Sequence, residues 1–248
     1  MAKGRALTVH CSGPEKARLR EHADASPNPS EIVAWYAPLE NLQDRATRYA
    51  ELLDAEELQR ADRFRFVHDR ERFILGHGLL REILGRHLNA DPTKLELQRG
   101  EFGKPFLRGN PVQFNLSDTK DGLLVALAQQ PVGADIETLH RSTDHTSVAE
   151  HYFTPNEVAG MAAAKDSKRR FLELWTRKEA VLKACGVGLM DDLHSLEVGR
   201  VLNDLTISHP EFVRMAAAEY HVRTFEVGTH HLVSLAAEGE FEVRFFGA

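Results

Sequence analysis

The chain has 248 residues, of which 42% are hydrophobic and 27% are charged, a composition typical of a folded globular protein. Its formal charge of −6 argues against a general nucleic-acid binder. The longest apolar run, residues 123–128, is far shorter than the roughly 20 residues that span a bilayer, so we expect no membrane helix. The first 30 residues lack the apolar core of a secretory signal, and Cys11 and Cys185 lie far apart; we therefore expect a cytoplasmic protein with reduced thiols.

The N-terminal part of the chain predicts an arm, a strand and several helices. Residues 1–30 end in the turn-forming run 26–30 and are predicted to form a flexible arm. A strand follows at about residues 32–36, and the helical spacing of apolar residues between about 41 and 88 predicts two or three helices. Alternating runs then predict strands of one sheet at residues 95–97, 112–116, 123–128 and 132–136.

The C-terminal part repeats this order of helices and strands. Residues 154–157 carry a capping box that begins one helix, and a longer helix is predicted from Asp166 to Cys185, ended by Gly186. Strands are predicted at residues 222–227, 232–236 and 241–246. Helices followed by antiparallel strands thus occur twice. We predict an α+β fold of two similar halves related by a pseudo-two-fold axis, residues 31–130 and 131–248.

Common motifs of nucleotide and hydrolase sites are missing from the sequence. There is no GxxxxGK[ST], GxSxG or HExxH, and the glycines at 76 and 78 lack the third glycine of GxGxxG. The 13 histidines, including the pair His230 and His231, have no spacing typical of a metal site. We interpret them as solvated or structural side chains.

Two pairs of charged residues are candidates for chemistry. Asp135 and Glu137 lie two apart on a predicted strand, so both carboxylates face one side while Ile136 faces the core. Two like charges this close repel unless a cation lies between them. Glu179 and Lys183 lie one turn apart at the edge of the apolar stripe of the long helix. From these residues alone, a solvated sheet edge and an ordinary Glu–Lys pair remain open.

Several motifs together resemble the surfactin-type (Sfp-type) 4′-phosphopantetheinyl transferases. They are the helix segment Arg72…Leu75-Gly76, Gly103-Lys104-Pro105, Phe114-Asn115-Leu116-Ser117, and residues 132–137 and 175–186. The resemblance covers about residues 31–200. It implies a fold with the active site in the cleft between the halves, and transfer of phosphopantetheine from coenzyme A to a serine of a carrier protein. It also implies release of 3′,5′-ADP and a requirement for Mg²⁺.

The resemblance assigns roles to individual residues. Asp135, Glu137 and Glu179 are expected to hold Mg²⁺, which favours oxygen ligands. Glu179 is also the expected general base for the serine proton, and Lys183 is expected to take part in catalysis by contacting the same phosphates. The coenzyme A nucleotide is expected to contact Arg72, Lys104, Ser117 and Lys183, with help from Arg60 and Arg63.

One residue departs from the family pattern. After Asn115-Leu116-Ser117 the family usually has a histidine that contacts coenzyme A, and here the residue is Asp118. A carboxylate next to a phosphate is repulsive unless it is protonated, turned away or paired. We expect Asp118 to turn outward, with Lys120 as the nearest cation, while Arg72 and Lys104 hold the nucleotide.

The long helix region is rich in basic residues. Seven basic and three acidic residues lie between 165 and 183, which predicts a basic surface that attracts an acidic acyl or peptidyl carrier protein. For Lys165, Lys168 and Arg169, an ordinary solvated helix face is the alternative. The basic residues are Lys165, Lys168, Arg169, Arg170, Arg177, Lys178 and Lys183.

Two other functions stay open. One is a coenzyme A or carrier-protein binding module that has lost catalytic activity, and Asp118 is the residue that would indicate this loss. The other is a metal-dependent nucleotide phosphohydrolase that uses the same three carboxylates with water as acceptor. The transferase is the expected function, in a monomer by resemblance, with no nucleic acid or membrane as partner. The sequence does not distinguish fatty-acid, polyketide and nonribosomal-peptide carriers.

Overall fold

The computed structural model describes residues 4–21, 26–188 and 193–248. The helices within these ranges are α1 (Ala46–Leu52), α2 (Ala55–Ala61), α3 (Val67–Leu88), α4 (His145–Tyr152), α5 (Pro155–Ala162), α6 (Ser167–Cys185) and α7 (Pro210–Met215). The strands are β1 (Arg5–Lys16), β2 (Leu19–Arg20), β3 (Glu31–Pro38), β4 (Leu97–Arg99), β5 (Pro105–Leu107), β6 (Gln113–Thr119), β7 (Gly122–Ala128), β8 (Val132–Thr138), β9 (Leu202–Ile207), β10 (Glu219–Val227), β11 (His231–Ala237) and β12 (Glu242–Gly247).

Two five-stranded sheets form the centre of the molecule, in the orders β2-β12-β3-β7-β6 and β8-β11-β10-β1-β9. In the first half, β3, α3, β6 and β7 follow one another, and β7 lies between β3 and β6. In the second half, β8, α6, β10 and β11 repeat that order, with β11 between β8 and β10. The prediction of an α+β fold with two similar halves is thereby confirmed.

The strands predicted for one sheet belong to three, so that part of the prediction is wrong. β4 pairs with β5 in a small sheet, β6 and β7 lie in the first large sheet, and β8 lies in the second. The chain changes sheets in the short connection between β7 and β8, where the boundary between the halves was predicted. Strand patterns along the sequence carry no information about which strands become neighbours.

Apolar side chains fill the molecule in three layers. One cluster lies between α3 and the first sheet, a second lies between the two sheets, and a third lies between the second sheet and α6. The order is therefore helix, sheet, sheet, helix, and the inner strands are apolar on both faces. No helix among the described residues is both long and apolar enough to cross a membrane.

The terminal strands are exchanged between the halves. β1 lies in the second sheet, parallel to β10 and antiparallel to β9, whereas β12 lies in the first sheet, parallel to β3. The prediction of a flexible arm over residues 1–30 is therefore wrong for β1. Leu7, Val9 and Cys11 alternate along β1 and are buried in the core beside α6. This apolar alternation covers only three positions. The turn-forming residues 26–30 that follow it therefore favoured the prediction of a flexible arm.

Two edge strands, β6 and β8, meet through side chains. Each strand ends its own sheet, and the side-chain oxygens of β6 accept hydrogen bonds from the backbone of β8. Ala134 N donates to Asn115 Oδ1 over 2.8 Å, and Ile136 N donates to Ser117 Oγ over 3.3 Å. We call this contact the β6–β8 seam. It satisfies buried backbone groups that would otherwise lack partners.

Asn115→Ala tests the β6–β8 seam. The substitution leaves the buried Ala134 N–H without its acceptor, which costs about 1–3 kcal/mol of unfolding free energy. Urea unfolding followed by circular dichroism measures the loss. The control is Gln113→Ala, at a half-buried position of the same strand, and equal stability losses in both variants would contradict the role of the seam.

Leu7→Ala tests whether β1 belongs to the core. Leu7 is buried beside α6, so we expect the unfolding free energy to fall by about 2–5 kcal/mol. Ser12→Ala, on the exposed part of the same strand, is the matched control and should unfold like the wild type. An arm without fixed structure would leave both variants unchanged in the same urea titration.

Candidate active site

The strand β8 carries Asp135 and Glu137 on the side that faces β6. Ser117 Oγ donates to Asp135 Oδ1 over 2.9 Å, and Thr119 Oγ1 lies 3.5 Å from Glu137 Oε2. Ile136 lies on the other side, in the core between the sheets. The alternation predicted from the sequence is confirmed, and both carboxylates are buried rather than solvated.

A glycine lets α6 approach these carboxylates. A Cβ on Gly133 would lie 1.9 Å from the carbonyl oxygen of Ala180 and 2.4 Å from the nitrogen of Ala184. Only glycine allows this contact between strand and helix backbone. Glu179 and Lys183 are next to these two alanines, and Lys183 Nζ lies 2.5 Å from Asp135 Oδ1 and 3.0 Å from Ser117 Oγ.

The predicted start of α5 and both predicted ends of α6 are confirmed. Asp166 caps α6 by accepting a hydrogen bond from the backbone of Arg169, and Gly186 ends the helix in the left-handed region at φ 88°. Thr154 and Glu157 form the capping box of α5. These local signals fix where Glu179 and Lys183 fall along α6.

The carboxylates of the site disfavour one another's charge. Burial, together with the charge of Asp135, raises the pKa of Glu137 to about 7 and the pKa of Glu179 to about 7. Burial acts against the charged form of Lys183, but Asp135 and Glu179 outweigh it and raise the pKa of its ammonium. The site therefore concentrates negative charge that Lys183 and Arg141 only partly compensate.

These residues fit a hard divalent cation. Asp135 Oδ2 is buried, and no described residue donates a hydrogen bond to it. Carboxylate oxygens are the ligands that Mg²⁺ prefers, and an ion between them would offset their repulsion. Among the described residues, two groups of three have possible ligand atoms that all lie within 4.8 Å of one another, and Asp135, Glu137 and Glu179 are not one of them. These three carboxylates would therefore have to move closer together to bind one ion.

Two residues of the site were missed by the sequence analysis. Thr119 follows Ser117 by two positions on β6, and this spacing was a usable signal because it places both hydroxyls on one face. Arg141 pairs with Glu137, and its guanidinium carbon lies 5.9 Å from the centroid of the Trp175 ring. It lies beyond the end of β8, where no spacing rule applies.

Arg72 and Asp118 pair with each other. Arg72 Nε lies 2.6 Å from Asp118 Oδ2, and another nitrogen of its guanidinium lies 2.9 Å from Asp69 Oδ1. Asp118 is exposed, as expected, since it points away from the face that carries Ser117. The cation beside Asp118 is thus Arg72 and not Lys120, which was expected to be nearest. Lys120 Nζ lies 3.4 Å from the carbonyl oxygen of His140.

The other basic residues predicted to hold the nucleotide lie in different surroundings. Lys104 Nζ donates to the carbonyl oxygens of Lys183 (2.6 Å) and Val132 (2.9 Å), next to the C-terminal end of α6. Burial lowers the pKa of Lys104 to about 8. The guanidinium of Arg60 lies over the ring of Phe73, with one nitrogen that is buried and lacks a partner among the described residues.

Arg63, which was predicted to help bind the nucleotide, is exposed just after α2 and donates a hydrogen bond to Gln59 over 3.1 Å. A cleft of about 970 Å³ lies between the two halves, and Arg72 lines it. The structure thus brings Ser117, Lys183 and the three carboxylates together. Arg72 lines the cleft, whose described lining includes none of these five residues. Arg60 and Arg63 lie on and after α2, apart from this group.

The predicted basic surface over residues 165–183 is wrong for two of its cations, which are buried in the core. Arg177 and Lys178 are buried: Arg177 pairs with Glu173 at 2.7 Å, and Lys178 pairs with Glu157 at 2.8 Å. Arg169 and Arg170 also form ion pairs within the chain, while Lys165 is exposed. The net charge of the sequence segment did not show which cations serve buried carboxylates.

Comparison with known families agrees with both halves of the fold. Residues 38–132 match the N-terminal domain of 4′-phosphopantetheinyl transferases, and residues 131–231 match the 4′-phosphopantetheinyl transferase superfamily. The two matches meet at the connection between β7 and β8.

Individual relatives align over most of the chain. It is 33% identical to 4′-phosphopantetheinyl transferase HetI from Nostoc sp. over 195 residues, which cover 76% of this chain and 80% of the relative. It is 26% identical to 4′-phosphopantetheinyl transferase Sfp from Bacillus subtilis over 203 residues, which cover 79% of this chain and 86% of the relative. The chain belongs to the 4′-phosphopantetheinyl transferase family.

Proposed function

We propose that the chain transfers 4′-phosphopantetheine from coenzyme A to a serine of an acidic acyl or peptidyl carrier protein, with Mg²⁺ and with release of 3′,5′-ADP. The observation that carries this proposal is the group of Asp135, Glu137, Glu179, Lys183 and Ser117 at the β6–β8 seam. Three carboxylates and a lysine are suited to pyrophosphate chemistry.

The reaction is a phosphoryl-type transfer. The serine oxygen of the carrier bonds to the phosphorus that bears pantetheine, and the bond from that phosphorus to the bridging oxygen of 3′,5′-ADP breaks. Asp135, Glu137 and Glu179 would hold Mg²⁺, which supplies charge neutralisation at the pyrophosphate when bound. Glu179 accepts the serine proton, directly or through water. Lys183 Nζ donates to phosphate oxygens. Ser117 Oγ would turn its single hydrogen from Asp135 to a phosphate oxygen when coenzyme A binds.

Coenzyme A is proposed to lie in the cleft with its nucleotide end toward the basic residues of the first half. Arg72 lines the cleft, which supports its contact with phosphate. Arg60, which has a buried nitrogen without a partner among the described residues, is proposed to reach phosphate only after its side chain moves from the Phe73 ring. Arg63 is proposed to assist from the surface. Lys104 donates to the carbonyl oxygen of Lys183. In this proposal, its positive charge at the C-terminal end of α6 contributes to binding of the nucleotide.

The assembly and location of the chain are also proposals. We infer a monomer because the two halves within one chain already enclose the cleft and exchange their terminal strands. Size-exclusion chromatography with light scattering tests this. The cytoplasm is the proposed location, in keeping with the free thiols of Cys11 and Cys185. The acidic carrier is proposed from the family resemblance.

Glu179→Gln tests the transfer and the role of this carboxylate. With coenzyme A, Mg²⁺ and an apo carrier protein, the wild type should add the mass of one phosphopantetheinyl group to the carrier, and the variant should lose at least about 100-fold of the rate. Intact-mass spectrometry measures both. Glu150→Gln, at an exposed glutamate on α4, is the matched control and should react like the wild type.

Two outcomes would overturn the transferase proposal. Binding of coenzyme A without any mass gain on fatty-acid, polyketide or peptide carriers would favour a binding module. Cleavage of coenzyme A in the absence of a carrier, at an equal rate in its presence, would favour a phosphohydrolase. Chelation of Mg²⁺ should abolish the mass gain, and a full rate with EDTA would contradict the proposed metal dependence.

Asp118→Asn tests whether Asp118 competes with coenzyme A for Arg72. The exposed ion pair is worth up to about 1 kcal/mol, so its removal should tighten coenzyme A binding by about twofold to fivefold in calorimetry. The gain should vanish when Arg72→Ala is also present. Glu96→Gln, which removes an exposed pair with Arg108, is the control. Weaker binding in Asp118→Asn would show that Asp118 positions Arg72 instead.

A further inference from the structure

A second cluster of possible metal ligands lies on the second sheet, on strands β1 and β10. His10 and His221 are directly opposite each other on these parallel strands, and Glu219 lies two residues before His221 on the same face. Glu219 Oε1 is 2.9 Å from Nε2 of His10 and 2.9 Å from Nε2 of His221. We propose that His10, Glu219 and His221 bind a divalent transition-metal ion of the Zn²⁺ class.

The geometry of the two imidazoles supports this site. Both Nε2 atoms point toward the same carboxylate oxygen, Glu219 Oε1. The two rings are stacked, with centroids 4.5 Å apart and planes 7° from parallel, so one ring must rotate for both nitrogens to face a single ion. One possible ligand atom from each of the three residues lies within 4.8 Å of the others. Tetrahedral zinc with bonds of about 2.0–2.1 Å places two ligands about 3.3 Å apart. Rotation of one imidazole, at the partly exposed His10, would bring the three ligand atoms to these distances.

The surroundings leave room for the rest of the coordination sphere. The side chains of His10 and Glu219 are 38% and 49% exposed, and a cleft of about 510 Å³ is lined by His10 and His221. Water can complete the coordination from this side. Arg223, the nearby cation on β10, is paired with Glu15 and Glu242.

The chemistry of the ligands selects the ion. Two imidazole nitrogens and one carboxylate suit Zn²⁺ and its neighbours in the transition series, whereas Mg²⁺ favours sites made of oxygen. This site is thus distinct from the three carboxylates of the active site in both place and ligand type. Metal binding joins β1 to β10 through side chains, in addition to their backbone pairing, and holds the N-terminal strand in the second sheet.

A second histidine group offers a matched control. Asp121, His140 and His230 also bring possible ligand atoms within 4.8 Å. However, Asp121 contacts two residues outside its group, Thr138 at 3.0 Å and His231 at 3.0 Å, whereas Glu219 contacts the two histidines of its own group. The observations therefore favour the site at His10.

Calorimetric titration of the metal-free full chain with Zn²⁺, in excess Mg²⁺ to occupy the carboxylates, measures the site. The wild type should bind one ion, and Glu219→Gln and the double variant His10→Gln/His221→Gln should bind it at least tenfold more weakly. The double variant His140→Gln/His230→Gln should bind like the wild type. Circular dichroism establishes that each variant is folded.

An absorption measurement and a hydrogen-exchange measurement test the metal site without relying on enzyme activity. Co²⁺ in place of Zn²⁺ should give the visible absorption of a low-coordinate nitrogen and oxygen site, and Glu219→Gln should remove it. Zn²⁺ should slow amide hydrogen exchange in β1 of the wild type at least tenfold. Unchanged Zn²⁺ affinity in the His10 and His221 variant, or loss only in the His140 and His230 variant, would overturn the proposal.

Discussion

The meeting of two edge strands is the constraint on which the active site depends. β6 and β8 belong to different sheets and are joined by the side chains of Asn115 and Ser117, which accept hydrogen bonds from the β8 backbone. Ser117 Oγ also donates to Asp135. One hydroxyl therefore holds the sheets together and orients a carboxylate of the site. Any change that separates the strands also displaces the carboxylate, so folding and site geometry are linked through the same atoms.

The second constraint is the approach of α6 to β8, and it has a cost in stability. Gly133 lets the helix backbone contact the strand, which brings Glu179 and Lys183 to the carboxylates of β8. Burial and like charge raise the pKa values of Glu137 and Glu179, so these groups oppose folding in their charged form. Elsewhere in α6, the buried charge of Lys178 is paired with Glu157 of α5. In the carboxylate cluster, Lys183 and Arg141 compensate three carboxylates only in part, and perturbed pKa values of this kind are typical of functional sites.

The sequence was informative where structure is set by near neighbours. Capping residues fixed the ends of α5 and α6, and alternation placed Asp135 and Glu137 on one side of a strand. It was uninformative where distant segments decide the outcome. The burial of Arg177 depends on Glu173 in its own helix and on Thr224 in β10, and the Arg72–Asp118 pair joins α3 to β6. The histidines that lie opposite each other on β1 and β10 are more than two hundred positions apart, so no spacing along the chain could reveal them.

The exchange of terminal strands makes each half dependent on the other. β1 supplies Leu7 and Val9 to the core beside α6, and β12 supplies Phe246 to the core beside α3. Wide separation of the halves would therefore require a terminal strand to lose its pairing. A metal ion at His10 and His221 would strengthen this joint on the same second sheet that carries Asp135 and Glu137. Because the two sites differ in ligand type, one ion would stabilise the frame while another serves the chemistry, and neither would compete for the other's ligands.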